Sequence, residues 1–156
     1  MITIPREVVH FFGEQGCVIL TSIDEKGRPH SSCKGIVKID PAGMFYLLDL
    51  YRAATYSNIN KDAKVSITAF NEHAFKGYCL KGKAKAVAAG KIEGSILRAW
   101  ENRIASRITQ RVVRDIKEEK IQPRHPEVSL PKPAYMIAIT VEEIVDLTPR
   151  HLRGGE

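Results

Sequence analysis

Cysteine is scarce in this chain, and its spacing fits no covalent framework. The 156 residues include three cysteines, Cys17, Cys33 and Cys79, and no two of them form a Cys-x-x-Cys pair. An odd number of widely separated cysteines suits neither the disulfide scaffold of a small secreted domain nor a zinc site. We therefore expect a reduced, cytoplasmic protein.

Long apolar runs are also missing. No stretch of 18 consecutive apolar residues occurs, and Met1 is not followed by a basic flank and an apolar run. A sequence of this kind neither crosses a membrane as a helix nor carries a standard export signal. It predicts a soluble protein that has no membrane partner.

The familiar catalytic motifs are absent too. The chain lacks Gly-x-Gly-x-x-Gly, Gly-x-x-x-x-Gly-Lys-Ser, His-Glu-x-x-His and Gly-x-Ser-x-Gly, which mark dinucleotide, P-loop, zinc-protease and hydrolase sites. Its five histidines are scattered without metal-ligand spacing. Lys34 beside Cys33 favours a reactive thiol, but no base accompanies it. We predict no metal site and can name no catalytic residue.

Positive charge is in excess. Lysine and arginine number 24 against 18 acidic residues, which gives a net charge of +6. A positive field attracts anionic ligands such as phosphates, and nucleic acid is an alternative partner. Five arginines in one helical segment are the candidates for that role: Arg98, Arg103, Arg107, Arg111 and Arg114. Acidic residues are interspersed among them, so a solvent-exposed or dimer-flanking helix face is the preferred interpretation and nucleic acid is not the expected partner.

Six segments have the composition and alternation of β-strands. They cover residues 17–23, 29–40, 44–50, 64–70, 77–88 and 134–141, the last continuing after a kink to 147. Their connections are too short for the crossovers that parallel strands require, so the sheet should be antiparallel. We predict a single domain over residues 1–156 that is mainly β, a six-stranded antiparallel split barrel of Greek-key type.

Helical patterns accompany these strands. Residues 5–12 predict a short helix that closes one end of the sheet, and residues 51–61 predict another. From about residue 91 to 120, apolar side chains recur every four residues, which is typical of one long helix, or two with a bend, covering a barrel wall. Four prolines within residues 122–133 predict a surface loop.

Three stretches carry a more specific signal. They are His30-Ser-Ser-Cys-Lys34, Leu48-Asp-Leu-Tyr-Arg52 running into Thr55-Tyr-Ser-Asn-Ile59, and Lys76-Gly-Tyr-Cys-Leu-Lys-Gly-Lys83. Together they resemble the pyridoxamine 5′-phosphate oxidase-like, FMN-binding split-barrel family. The resemblance spans about residues 5–90 and the last strand. It implies a homodimer that holds FMN at the subunit interface.

The resemblance also assigns site residues by position. It places the flavin ring along Ser31, Ser32, Cys33 and Lys34. It places the ribityl chain and the phosphate among Asp49, Leu50, Tyr51, Arg52 and Thr55. Where many members carry a Ser-Arg-Lys-type cluster, this chain has Ala53-Ala54-Thr55. Compensation is expected from Arg52, or from Lys34 and Lys83 on neighbouring strands.

The functional expectation follows from that assignment. We expect an FMN-binding oxidoreductase that acts on an unidentified small molecule, with the flavin itself carrying the hydride or the electrons. Tyr51, Tyr78 and Trp100 are candidates to lie beside the substrate. A non-catalytic flavin- or anion-binding protein is the first alternative, and a nucleic-acid-binding protein is the second.

Overall fold

A computed structural model describes residues 1–119 and 130–153. Most of the proline-rich segment, residues 122–129, lies outside the described residues. Leu130, Pro131, Lys132 and Pro133 belong to no helix or strand. Of the helices in the described ranges, none combines the length and the hydropathy needed to cross a membrane.

Six strands close into one barrel. They are β1 (Val18–Ile23), β2 (Pro29–Asp40), β3 (Met44–Asp49), β4 (Lys64–Asn71), β5 (Lys76–Ala88) and β6 (Tyr135–Asp146). Every neighbouring pair is antiparallel, in the order β1-β2-β3-β6-β5-β4, and β4 pairs with β1 to complete the barrel. The prediction of a mainly β, six-stranded antiparallel barrel is confirmed.

The strands form because local chemistry and side-chain alternation agree. Between β1 and β2, the Asp24 carboxylate accepts hydrogen bonds from the backbone N–H groups of Lys26 and Arg28. Gly27 has a φ of 75°, a conformation that glycine adopts without steric cost. In β4, Val65, Ile67 and Ala69 are buried, as the period of two requires.

The barrel interior holds the main core, and the first helix closes one end of it. Helix α1 (Arg6–Gly13) buries Val8, Phe11 and Phe12. The Phe12 ring meets the Phe45 ring edge-on, with centroids 5.3 Å apart. Burying each such aromatic side chain contributes about 1.5–3 kcal/mol. Helix α1 has no side-chain cap, so apolar packing holds it in place.

The long helix covers only part of the barrel wall. Helix α3 is continuous from Gly94 to Lys117, slightly shorter than the predicted 91–120. Ile96 near its start packs with Leu48 and Met136 in a second apolar cluster on the outside of the barrel. Toward its end the apolar side chains are uncovered, and Ile116 is 72% exposed. The predicted apolar stripe is therefore buried only in the first half of the helix.

A β-bulge interrupts the pairing of β5 and β6 where the sequence suggests a kink. Lys81 pairs with Glu143 and Gly82 pairs with Val141, which leaves Glu142 as the extra residue. A Cβ atom at Gly82 would collide with the carbonyl oxygen of Thr140. Only glycine permits this close approach of the two backbones.

Candidate functional site

A second short helix, α2 (Ala54–Lys61), brings polar side chains to the barrel. It packs on β1 and β5. Asn58 is buried and its Nδ2 donates to Ser22 Oγ at 3.0 Å. Thr55 Oγ1 and Ser32 Oγ share a hydrogen bond of 3.0 Å. These two contacts tie α2 to β1 and β2 and position its first turn.

An ion pair lies beside this helix. The ammonium of Lys34 on β2 lies 2.7 Å from Asp49 Oδ2 on β3, and both side chains are nearly buried. The Tyr135 hydroxyl on β6 donates to the same carboxylate oxygen at 2.8 Å. Burial, followed by the hydrogen bond to Asp49, raises the pKa of Tyr135 above its usual range. The Lys34 charge is thus already neutralised within the protein.

Strand β2 divides its four candidate residues between two faces. Ser32 and Lys34 point inward, to Thr55 and Asp49. Ser31 and Cys33 point outward and are exposed. Ser31 Oγ shares a hydrogen bond of 2.9 Å with Thr21 Oγ1 on β1. A ligand on the outside of the barrel would therefore meet only Ser31 and Cys33 through their side chains.

The chain that follows β3 reaches the surface and borders a cavity. Leu50 is half-buried, and Tyr51 is 64% exposed. The Arg52 guanidinium lies 5.3 Å from the centroid of the Tyr56 ring. Arg52 and Tyr56 line a cavity of about 310 Å³ together with Lys85 and Lys91. Three cationic side chains thus surround a space large enough for a phosphate group.

The start of α2 has backbone donors that no side chain caps. Ala53 precedes the helix, no side chain caps it, and its first turn contains no acidic residue. The first N–H groups of a helix have no partner within the helix, and the helix dipole favours negative charge there. Thr55 lies in this electropositive first turn, where it is buried and bonded to Ser32, and the Arg52 guanidinium lies at the Tyr56 ring.

Lys83 is not brought to this cavity. Its ammonium lies 3.6 Å from Glu142 Oε1 on the outer surface of β5 and β6. Lys85, two residues along and on the same side of β5, lines the cavity instead. Because side chains along a strand alternate, the sequence places Lys83 and Lys85 on the same face of β5. The position of α2 decides that Lys85, and not Lys83, lines the cavity. Lys91 carried no signal in the sequence pattern.

Two of the three aromatic candidates for substrate contact belong to the packing. Tyr78 is buried, and its ring meets Phe11 edge-on at 5.2 Å. Trp100 is half-buried against the second apolar cluster. Tyr51 alone among these three candidates is exposed.

The arginines of α3 border a different cavity. Arg107, Arg111 and Arg114 line a space of about 440 Å³ with Gln110, Gly16 and Cys17. Burial, and then the nearby Arg107 charge, lower the pKa of Arg103. At about 100° per residue, these arginines share one helix face and Arg98 lies on the opposite one. The five arginines considered for nucleic acid therefore do not form one surface.

The described residues offer no cluster of metal ligands. Within residues 1–119 and 130–153, no group of three or more His, Cys, Asp or Glu side chains comes together to hold an ion.

Comparison with known proteins places this geometry in a family. Residues 4–146 match the model of the pyridoxamine 5′-phosphate oxidase family. No curated protein matches the sequence. Group A Streptococcus HupZ is similar in structure, at 20% identity and a TM-score of 0.63, with coverage of 93% of this chain and 94% of that one.

Two further solved structures have the same fold. A protein related to general stress protein 26, of the pyridoxinephosphate oxidase family, from Clostridium acetobutylicum has 16% identity and a TM-score of 0.59, with coverage of 94% of this chain and 88% of its own. An F420 reductase has 9% identity and a TM-score of 0.57, with coverage of 91% and 98%. The family model spans nearly the whole barrel, from α1 to β6. The chain therefore belongs to the pyridoxamine 5′-phosphate oxidase family.

Proposed function

We propose that this protein binds FMN and uses it as an oxidoreductase on a small molecule. Membership of the pyridoxamine 5′-phosphate oxidase family supports a flavin, and the structural similarity to an F420 reductase supports redox chemistry with a related cofactor. One observation carries the proposal. Arg52, Lys85 and Lys91 line one cavity together with Tyr56 and Asn60 of α2.

The cavity suits the phosphate end of FMN. A phosphate monoester carries nearly two negative charges at neutral pH, which the three cationic side chains can balance. Arg52 can donate two parallel hydrogen bonds to it, and its contact with the Tyr56 ring limits the motion of its guanidinium. In this proposal, Arg52, Lys85 and Lys91 replace the side chains missing at Ala53 and Ala54.

The family resemblance assigns the flavin ring to β2 and the end of β3. On the outer face of β2, Ser31 and Cys33 offer small uncharged side chains beside backbone amides. Ser32, Lys34 and Asp49 act from the inner face, because their contacts hold β2, β3 and α2 together. Leu50 and Tyr51 would adjoin the ribityl chain. Lys83, which pairs with Glu142, would contribute only to the positive field.

FMN, when bound, supplies the hydride or electron transfer. The protein's part is to bind and orient it and to exclude water from one side of the ring. Tyr51 has an exposed ring beside the proposed site and is the candidate to contact the substrate.

We further propose that the chain works as a homodimer with FMN at the subunit boundary. The outward side chains of β1, central β2 and β4 include Ile19, which is 43% exposed, and Phe70, which is 47% exposed. The outward residues between them are uncharged: Thr21, Ser31, Cys33, Ser66 and Thr68. An uncharged face with exposed large apolar side chains suits contact with a second copy, which would cover the ring site as well.

The test is FMN binding by purified protein and by two arginine variants. The protein is desalted with excess FMN, and retained flavin and its dissociation constant are measured by absorbance and fluorescence. Arg52→Ala should weaken FMN binding at least tenfold, about 1.4 kcal/mol. Arg98→Ala, which removes the same charge from a residue that does not line the cavity, should change it less than twofold.

Each outcome has a definite meaning. Failure of the parent protein to retain FMN would contradict the cofactor proposal. Equal weakening by the two variants would indicate general electrostatic attraction and contradict the phosphate site. Flavin retention without turnover of any reductant and acceptor pair would favour a flavin carrier over an oxidoreductase.

A further inference from the structure

Two cysteines that are distant in the sequence are neighbours on the barrel surface. β1 and β2 pair with Ile19 opposite Cys33. Cys17 precedes Ile19 by two residues, so its side chain lies on the same side of the ladder as that of Cys33. Both residues are exposed free thiols. The two thiols therefore lie diagonally across one strand pair.

The two side chains influence one another directly. Burial, and next a hydrogen bond with the Cys17 thiol, raise the pKa of Cys33 to about 11. The charges of Arg107 and Lys34 act in the opposite direction. Cys33 consequently keeps its proton at neutral pH. The surroundings of Cys33 therefore oppose its action as the first nucleophile.

Access also favours Cys17. It lines the 440 Å³ cavity between α3 and the start of β1, beside Gly16 and Arg107. A Cβ atom built on Gly16 would lie only 3.7 Å from Arg107 Nη2, so the guanidinium sits close over this turn. A small oxidant that enters the cavity meets Cys17, and Cys33 has only to reach Cys17.

Joining the two sulfurs requires a small movement of the backbone. Diagonal neighbours in an antiparallel pair have Cα atoms about 7–8 Å apart, slightly beyond the usual disulfide range of about 4.4–6.8 Å. Cys17 comes one residue before the first register pair, Val18 with Lys34. Its backbone is outside the ladder and can shift by the small distance required.

We propose that Cys17 and Cys33 form a reversible intramolecular disulfide when the protein meets a peroxide. The Cys17 sulfur attacks one peroxide oxygen, the O–O bond breaks, and a sulfenic acid and one water result. The Cys33 sulfur then displaces the hydroxyl group from the Cys17 sulfur, its proton leaves with that group as a second water, and the S–S bond forms. Two thiols lose two electrons, and hydrogen peroxide is reduced to two waters.

The bridge would tie the outer face of β2 to the start of β1, beside the proposed flavin site. The test uses the full-length chain free of flavin, so its result does not depend on FMN binding. The reduced chain is treated with hydrogen peroxide and digested with trypsin. Lys26 separates Cys17 from Cys33, and Lys76 separates both from Cys79. Each cysteine therefore lies in a different peptide.

The expected product is one linked pair of peptides that contain Cys17 and Cys33. Its mass should be that of the two peptides less two hydrogens, and dithiothreitol should separate it into the two reduced peptides. Cys79→Ser should give the same linkage. In Cys33→Ser, the sulfenic acid should persist at Cys17 and be trapped by dimedone, whereas Cys17→Ser should give no trapped Cys33. Circular dichroism checks that each variant is folded.

Several results would overturn the proposal. Unmodified thiols after peroxide treatment, a linkage that includes Cys79, or a bridge between two chains would each exclude the Cys17–Cys33 disulfide. Trapping of a sulfenic acid by dimedone at Cys33 in preference to Cys17 would mean that Cys33 attacks the peroxide first, contrary to the proposal. The mapping of the parent protein needs no variant, so it decides the matter even if a substitution disturbs folding.

Discussion

The ion pair of Lys34 and Asp49 gives the clearest prediction for single residues. Asp49→Ala leaves the Lys34 charge and the Tyr135 hydroxyl without their buried acceptor. Breaking one side of a buried pair typically costs about 3–5 kcal/mol of stability. Lys83→Ala, which breaks the exposed pair with Glu142, should cost about 0–1 kcal/mol. Urea denaturation of both variants measures the difference, and similar losses would refute the structural role of Asp49.

The raised pKa of Cys33 predicts a pH dependence of stability. The folded protein holds the thiol proton to about pH 11, above the ordinary value of 9.0. As pH rises from about 9 to about 11, the unfolded chain loses this proton first, so folding becomes less favourable. Relative to the parent protein, Cys33→Ser should therefore gain stability across this window. The free energy of unfolding is measured by denaturation in reductant at pH 8 and above, with Cys79→Ser as the control. If this free energy depends on pH in the same way in Cys33→Ser and in the parent protein, the raised pKa of Cys33 is contradicted.

The sequence predicts some of these residue contacts and not others. Strand period alone implies that Ser31 and Cys33 face away from Ser32 and Lys34. The contacts of Lys34 with Asp49, and of Asp49 with Tyr135, depend on how β2, β3 and β6 pair. Lys85 and Lys91 join Arg52 only because α2 packs near the end of β5. Those arrangements depend on packing between segments that are distant in the sequence, so no local sequence pattern predicts them.

At the scale of elements, the buried amide of Asn58 makes one of the two side-chain contacts that tie helix α2 to the barrel. Asn58→Ala removes the donor to Ser22, whose hydroxyl is almost fully buried. Leaving such a group unsatisfied costs about 1–3 kcal/mol. Asn60→Ala is the matched control, because Asn60 lies on the same helix and is exposed. It should change stability by less than about 0.5 kcal/mol. Equal effects in thermal or urea denaturation would mean that the Asn58 contact does not anchor α2.

The long helix shows what periodicity can and cannot predict about an element. The four-residue recurrence identified α3 and, near its start, the apolar residues that pack on the barrel. The same recurrence continues to Ile116, which is exposed. A hydrophobic pattern marks the face of a helix that favours burial, but the length of surface available to cover it depends on the barrel's size. That size follows from the number of strands and their register.

At the scale of the whole molecule, strand number and antiparallel pairing were predictable and the order around the barrel was not. Short turns bring β1, β2 and β3 together in sequence order. Between the end of β5 and the start of β6 lie 46 residues, and β6 pairs with both β3 and β5. Its place requires a long-range connection through α3, and alternation within β6 would suit several neighbours equally well.

The last prediction concerns association of whole chains. If Ile19 and Phe70 meet a second copy, Phe70→Glu places an unpaired charge in that contact and should convert a dimer to a monomer. Ile116→Glu, at the more exposed end of α3, should leave the dimer intact. Size-exclusion chromatography with light scattering measures both masses over a range of protein concentrations. A monomeric parent protein would contradict the homodimer. If Ile116→Glu disrupts the dimer and Phe70→Glu does not, the subunit contact lies on α3 and not on the barrel face.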